Sequence, residues 1–182
     1  KRESVQGVPA YRSVLDVPGP VDTAVITVPT AAVLPVLEDC VRQGVRSATI
    51  VSSGFERSSA DAAEAGRARQ LRRILDESGV RLLGPNTAGL VNLFDGYVPR
   101  AANNGLAPDR VRPGAIALVT QSGALGNTVF NRAQVQGVGI GLSVATGDQF
   151  DVDAWELAEY AIGDPRVRVV MMIVEMIDAA GL

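Results

Sequence analysis

Residues Ile116 to Leu125 read IALVTQSGAL, and this stretch indicates the fold class. Its apolar run Ile116–Thr120 is typical of a short strand that is buried on both faces of a parallel sheet. Gln121–Gly123 predicts a polar turn, after which apolar residues recur at helical spacing from Leu125 to Ala133. A strand that turns into a helix in this way points free backbone amides and the positive end of the helix dipole at one place. Two interpretations stay open: Ser122 is an ordinary helix N-cap, or the turn binds an anion such as phosphate or a carboxylate.

The composition describes a globular chain with a substantial core. Its 182 residues are 47% hydrophobic and 20% charged, with a formal net charge of −3. That length suits one large domain or two small ones. The near-neutral charge supplies no general positive field for nucleic acid or for an anionic membrane surface, so we expect neither as a partner.

The sequence contains no histidine. Ser-His-Asp and Cys-His catalysis and the commonest zinc-ligand sets are therefore excluded within these residues, and we expect no metal site among them. Any histidine-dependent chemistry has to come from another segment or another chain.

Cys40 is the single cysteine. It can form no internal disulfide, which predicts a reducing, cytoplasmic compartment. Because it lies in an amphipathic helical stretch, a buried structural thiol is the preferred interpretation. No apolar run approaches the ~20 residues that span a bilayer, and no signal-peptide pattern is present.

Strand and helix patterns alternate along the chain, which indicates parallel sheets wound by right-handed crossovers. One predicted helix covers residues 59–78, and its four arginines are expected to lie on a face that is exposed to solvent. The predicted strands are 21–28, 46–51, 80–83, 115–120, 139–145 and 167–174, and the other predicted helices are 31–44, 123–136 and 153–162. The four arginines are Arg67, Arg69, Arg72 and Arg73.

Residues 94–114 break this alternation, because they contain three prolines and the run Asn103-Asn104-Gly105 without sustained periodicity. We therefore place a domain boundary near Arg112, so that a first domain covers residues 1–112 and a second covers 113–182. In parallel sheets, ligands gather at the carboxyl ends of the strands. Here those ends are residues 29–30, 52–54, 84–86, 121–123, 147–148 and 175.

Six short motifs at or near these strand ends carry a resemblance to a known family. In chain order they are VPT (28–30), SSGFE (52–56), GPNTAGLVN (84–92), QSGALG (121–126), GDQFDVD (147–153) and GDP (163–165). Each motif alone is weak, and the specificity lies in their order and spacing. Together they resemble the family of the succinyl-CoA synthetase alpha subunit and the NDP-forming acyl-CoA synthetases, over nearly the whole chain.

The resemblance implies an α/β fold in which a Rossmann-like CoA-binding domain is followed by a flavodoxin-like ligase domain. The family's first βαβ unit, with its Gly-rich turn, is expected before Lys1. The family's phosphorylated histidine and the rest of the ligase domain are expected beyond Leu182. The CoA pocket is therefore expected to be incomplete in these residues, and the chain alone is expected to be inactive.

The family joins a carboxylic acid to CoA with ATP or GTP, through an acyl phosphate and a phosphohistidine. The resemblance therefore implies an acid–thiol ligase that uses CoA, a small carboxylic acid, and ATP or GTP with Mg2+. An ATP-grasp domain or a beta-type subunit outside this chain is expected to bind the nucleotide, and an oligomer is expected. The sequence does not specify the acid, the choice between ATP and GTP, or the subunit arrangement.

The resemblance also suggests CoA-binding residues at two strand ends. Val51, Ser52 and Ser53 match the stretch that contacts CoA in the family, and Pro29 and Thr30 follow the preceding strand. Small side chains at a strand end let a pantetheine arm approach the backbone. The alternative is a simple turn closed by a serine hydroxyl before a helix.

Two asparagines are predicted to contact the substrate. Asn86 follows Gly84-Pro85 at a strand end, where a polar amide is suited to hold the reacting thioester region. Asn127 lies one turn into the helix after Ser122, at a position that matches a substrate-contacting residue of the family. Succinate-using members carry a tyrosine there, so the resemblance implies a different acid. The alternative for either asparagine is a local cap or turn residue.

Phosphate transfer is predicted to involve Ser122, Gly123 and Glu175. The first two begin a helix whose N-terminal amides suit a phosphoryl group. Glu175 follows the last predicted strand and matches a family glutamate that orients the phosphorylated histidine. The alternative for Glu175 is a solvated residue at a strand end.

Two other functions compete with the ligase. One is a CoA-responsive regulatory module of an acetyltransferase-type protein with the same architecture. The other is an NAD-binding Rossmann protein, which is disfavoured because no G-x-G-x-x-G follows any predicted strand.

Overall fold

The computed structural model describes residues 3–57, 59–101 and 111–176. An N-terminal hairpin of β1 (Ser4–Val5) and β2 (Val8–Pro9) is followed by a short 3-10 helix, Val14–Asp16. The remaining strands are β3 (Thr23–Ile26), β4 (Ser47–Ile50), β5 (Arg81–Leu83), β6 (Leu90–Asn92), β7 (Ile116–Thr120), β8 (Leu142–Ala145) and β9 (Val169–Ile173). The helices are α1 (Thr30–Gln43), α2 (Ala62–Ser78), α3 (Gly123–Val135) and α4 (Ala154–Gly163). The predicted alternation of strands and helices is confirmed.

The first sheet is parallel and has the order β3-β4-β5. Helix α1 ends at Gly44 and α2 ends at Gly79, and both glycines adopt the left-handed conformation that stops a helix cleanly. Helix α2 begins later than predicted because Asp61 caps it, accepting hydrogen bonds from the amides of Ala63 and Glu64. The core of this unit packs the inward faces of both helices on the sheet.

Cys40 belongs to this core, as predicted. It is only 2% exposed, on the buried face of α1. Removal from water raises the pKa of the thiol, with a smaller contribution from the negative charge of Asp39. A neutral, buried thiol of this kind fills space in a core.

The second sheet has the order β6-β8-β7-β9. Strand β7 is central and pairs in parallel with both β8 and β9, while β6 pairs antiparallel with β8. The expectation of wholly parallel sheets is therefore wrong for β6. This strand has three residues, too few to show a period of two, and its pairing with β8 places it in the sheet.

The α2 arginines correct a second expectation. Arg67 donates to the carbonyl oxygen of Gly54 at 2.9 Å. Arg72 donates to the carbonyl oxygen of Phe150 and lies 5.8 Å from the centre of its ring. Arg69 and Arg73 are exposed, as predicted. Half of the supposed solvated face therefore ties α2 to neighbouring loops, which helical periodicity does not reveal.

A connecting segment, residues 147–153 after β8, joins the two units by running alongside β5. The Phe150 amide donates to Gly84 O at 3.1 Å, and the Val152 amide donates to Leu82 O at 3.1 Å. The Phe150 side chain is 2% exposed and belongs to the core of the first unit. The carboxyl ends of the two sheets are thereby brought together. The domain boundary near Arg112 stays a prediction.

Within the described ranges, no helix is both long and apolar enough to cross a membrane.

Candidate functional site

A cleft of about 530 Å³ lies where the strands of the two sheets end. Five strand ends contribute to it, those of β4, β5, β7, β8 and β9. Six residues predicted from the sequence line it together: Val51, Asn86, Ser122, Gly123, Asn127 and Glu175. The other wall residues include Ala88, Gln121, Asp148 and Met176. The cleft does not include Pro29, Thr30, Ser52 and Ser53.

The N-terminus of α3 forms one wall of the cleft. Ser122 is its N-cap, and the side-chain oxygen accepts from the Leu125 amide at 3.3 Å. The amides of Gly123 and Ala124 precede the first bond within the helix, so they are available to a ligand. A Cβ added to Gly123 would lie 3.0 Å from the Cβ of Ala88, so a side chain there would crowd this wall. The N-cap interpretation of Ser122 is confirmed, and anion binding at the two remaining amides stays a prediction.

Glu175 also lines the cleft and is held there through its backbone. Gln121 Oε1 accepts from the amides of Glu175 and Met176 at 2.7 and 2.8 Å. Gln121 Nε2 donates to the carbonyl oxygen of Met176 at 2.8 Å. Both ends of the Gln121 amide are used in this way, while the Glu175 side chain is exposed. In the sequence, Gln121 stands out only as part of a motif, and its contact with residues 175 and 176 was not predicted.

Asn86 and Asp148 form a pair between the two units. Asn86 follows a cis Gly84-Pro85 peptide, adopts a positive φ of 59°, and donates from Nδ2 to Asp148 Oδ1 at 3.1 Å. Removal from water raises the pKa of Asp148 above its ordinary value, and the hydrogen bond from Asn86 opposes this. Glu56 and Glu64 raise the pKa further, while Arg57 lowers it. Asp148 was missed as a site residue, although it lies in the GDQFDVD motif.

Asn127 is bound by Arg100. A guanidinium N–H donates to Asn127 Oδ1, and the guanidinium carbon lies 5.4 Å from the centre of the Phe130 ring. Partial burial lowers the pKa of Arg100. Arg100 was missed because it lies in residues 94–114, which show no periodicity.

The predicted CoA-binding loops lie beside the cleft. Ser52 donates its hydroxyl proton to Val28 O, and Thr30 Oγ1 donates to Ser53 O at 3.0 Å. The hydroxyl of Ser52 is therefore left to accept from a ligand. Pro29 is the N-cap of α1 and supplies no side-chain hydrogen bond, so the first α1 amides lack a side-chain cap. Val51 alone of this group reaches the cleft.

In the part of the chain that the structure describes, no group of three or more His, Cys, Asp or Glu side chains is arranged to hold a metal ion.

Two family models match the chain in succession. Residues 1–93 match a CoA binding domain, and residues 113–181 match a succinyl-CoA ligase like flavodoxin domain. The first match covers just over half of the chain.

Several curated and solved relatives are similar over most of this chain. The alpha subunit of acetate–CoA ligase [ADP-forming] I from Pyrococcus furiosus is 36% identical over 91% of this chain. The 4-hydroxybutyrate–CoA ligase [ADP-forming] of Nitrosopumilus maritimus is 30% identical over 96% of this chain. The structure of the dinucleotide-forming acetyl-coenzyme A synthetase 1 of Ca. Korarchaeum cryptofilum, with phosphate and ADP, matches 98% of this chain with a TM-score of 0.86 and 32% identity.

The chain spans 34%, 24% and 37% of the lengths of these three proteins, respectively. The predicted fold, a CoA-binding domain followed by a flavodoxin-like ligase domain, is confirmed. By these matches the chain belongs to the family of the NDP-forming acyl-CoA synthetases.

Proposed function

We propose that this chain is the CoA-binding and acyl-transfer part of an acyl-CoA synthetase that releases a nucleoside diphosphate. The observation that carries the proposal is the cleft, which collects an open helix N-terminus, Glu175 and two asparagines at one place. The relatives named as ADP-forming ligases of acetate and 4-hydroxybutyrate support a small carboxylic acid as substrate. They do not favour the alternative of a regulatory module.

The α3 N-terminus suits the phosphoryl group of such a reaction. The Gly123 and Ala124 amides and the helix dipole stabilise negative charge, and the glycine lets the group approach closely. In the proposed reaction, a phosphoryl group passes from a histidine outside this chain to an oxygen of the acid, giving an acyl phosphate. The thiolate sulfur of CoA then attacks the acyl carbon, and inorganic phosphate leaves.

Glu175 suits the orientation of that histidine. Gln121 accepts hydrogen bonds from the backbone amides of Glu175 and Met176, which fixes the position from which the exposed Glu175 side chain extends at the cleft wall. A carboxylate that accepts the N–H of one imidazole nitrogen orients the ring and makes the other nitrogen a better nucleophile.

The strand ends beside the cleft fit CoA. Val51 reaches the cleft, and the hydroxyl of Ser52, which already donates to Val28, accepts from a ligand such as the pantetheine amide. The uncapped α1 N-terminus adjoins Ser53 through Thr30, which suits a phosphate of CoA. We further propose that a grasp domain or beta-type subunit outside this chain binds ATP or GTP with Mg2+, in an oligomeric, cytoplasmic enzyme.

Glu175→Gln in the full-length protein, with its nucleotide-binding part, tests this proposal. We expect acid-labile histidine phosphorylation to fall about tenfold or more, because a charge-assisted hydrogen bond is lost. CoA affinity, measured by calorimetry, should not change. Glu77→Gln on the exposed end of α2 is the matched control. Normal histidine phosphorylation in Glu175→Gln, or a wild-type protein that makes no acyl-CoA from any small acid, would contradict the proposal.

A further inference from the structure

Arg100 is pinned beside the cleft wall by backbone hydrogen bonds. Its neighbour Pro99 accepts from the Leu90 amide at 3.1 Å, and the Ala101 amide donates to Ala88 O at 3.3 Å. Arg100 itself forms an isolated antiparallel bridge with Gly89. The side chain thus starts from a defined point next to Ala88, which lines the cleft.

The side chain of Arg100 ends on α3. It is half-buried, lies over the Phe130 ring and donates to Asn127. No carboxylate within the described residues forms an ion pair with it. Within the described residues, its polar side-chain partner is therefore the amide of Asn127, which lies one turn into α3.

This contact decides which end of the Asn127 amide faces the cleft. A guanidinium has donors only, so the Asn127 atom it contacts must be the carbonyl oxygen. The Nδ2 group, with two N–H donors, is then the end that is left for the cleft. Asn86 is arranged the other way, because its Nδ2 donates to Asp148 and its Oδ1 is left free.

We infer that Arg100 is a positioning residue that holds Asn127 so that Nδ2 donates to an oxygen of the acid substrate or of its acyl phosphate. This inference rests on the proposed function. A carboxylate or acyl phosphate offers only acceptors at that point, so a fixed donor is complementary to it. The two asparagines then present opposite polarity, a donor on the α3 wall and an acceptor on the wall that follows β5.

Asn127→Asp is the decisive variant, because it keeps the size of the side chain and its bond to Arg100. The new carboxylate pairs with the guanidinium but presents an acceptor and a negative charge to the cleft. In the full-length protein we expect the KM for acetate and for 4-hydroxybutyrate to rise about tenfold or more. The KM for CoA should not change. The midpoint of unfolding should be the same as in the wild type or higher. Gln136→Glu, which adds the same charge at the far end of α3, is the control and should leave both KM values unchanged.

Arg100→Ala and Arg100→Lys test the positioning role. Alanine lets the Asn127 amide rotate, so we expect the KM for acetate to rise by a factor of about three to ten. Because lysine also carries donors only, we expect Arg100→Lys to have a KM for acetate between those of the wild type and Arg100→Ala. If the KM for acetate and the KM for CoA rise by the same factor, Arg100 does not position Asn127. The same holds if the KM for acetate is as high in Arg100→Lys as in Arg100→Ala.

Binding of acetyl phosphate, measured by calorimetry on the full-length protein, separates this inference from the proposed function. We expect Asn127→Asp to weaken acetyl phosphate binding about tenfold, whether or not the wild-type protein turns over. Equal affinity in the two proteins, or no binding to the wild type, would overturn the inference. A wild type that binds acetyl phosphate but makes no acyl-CoA would overturn the proposed function alone.

Discussion

At the scale of single residues, the cleft holds a carboxylate whose surroundings disfavour its charge. Asp148 is partly withdrawn from water and faces two other carboxylates, Glu56 and Glu64, while Asn86 and Arg57 oppose their effect. The net result is a raised pKa. An acid whose pKa is higher in the folded protein than in the unfolded chain destabilises the fold when it ionises.

Asp148→Asn is therefore expected to raise the free energy of unfolding near pH 7. The amide has the same shape, carries no charge and still accepts from Asn86. The stability difference should disappear as the pH falls below the ordinary aspartate pKa of about 3.9, because Asp148 is then protonated in both states. Urea unfolding at both pH values, with Glu77→Gln as a control for loss of one charge, measures this. Equal or lower stability of the variant near pH 7 would show that the charge of Asp148 does not destabilise the fold.

At the scale of elements, the helices differ in how their first amides are used. Asp61 and Asp153 each accept from two amides at the starts of α2 and α4. Ser122 accepts from one amide of α3, and Pro29 offers α1 no side-chain cap. The two helices that are capped by aspartates begin outside the proposed binding regions, whereas α1 and α3, with fewer capped amides, begin at them.

Asp153→Ala tests the structural side of this division. Its two amide partners, Trp155 and Glu156, lie at 2.8 Å, and their loss should lower the free energy of unfolding by about 1 kcal/mol. Asp153→Ser restores a capping oxygen and should recover most of that loss. Chemical denaturation compares the variants. An alanine variant as stable as the wild type would mean that water replaces the cap without cost.

At the scale of the whole molecule, one carboxylate fastens the connecting segment to the first sheet. Asp151 accepts from the Leu82 amide at 2.7 Å and from Arg81 at 2.9 Å, and Arg81 also pairs with Glu156 of α4. These bonds hold the β5 wall of the cleft, with Asn86, against the β8 wall, with Asp148. They add to the backbone bonds of Phe150 and Val152, which join the same segments.

Asp151→Ala should lower the free energy of unfolding by about 2 kcal/mol, because it leaves a part-buried amide without its charged acceptor. Asp22→Ala is the matched control: it removes an exposed pair with Arg46 and should cost less than about 0.5 kcal/mol. Denaturant unfolding, with hydrogen exchange at the Leu82 amide, measures both. A loss for Asp151→Ala no larger than that for Asp22→Ala would show that the backbone bonds of residues 150 and 152 and apolar packing hold the two units together without Asp151.

Much of this protein was predictable from neighbouring residues. The β7–turn–α3 unit, the parallel alternation and the buried position of Cys40 all follow from periodicities and turn residues within about fifteen positions. The grouping of strand ends within each sheet follows from the same alternation, because parallel strands share their carboxyl edge, whereas the meeting of the two edges at one cleft depends on tertiary packing.

Sequence patterns thus account for the layered α/β fold and for six of the fourteen residues that line the cleft. How those residues are held depends on contacts between segments that are far apart in the chain. Gln121 contacts Glu175 across 54 positions, Arg100 contacts Asn127 across 27, and Asn86 contacts Asp148 across 62. The short strand β6 is likewise formed by pairing with the distant strand β8. Local periodicity reports which face of an element is buried, whereas the partner of a polar side chain depends on which distant segment the packed sheets bring within about 3 Å.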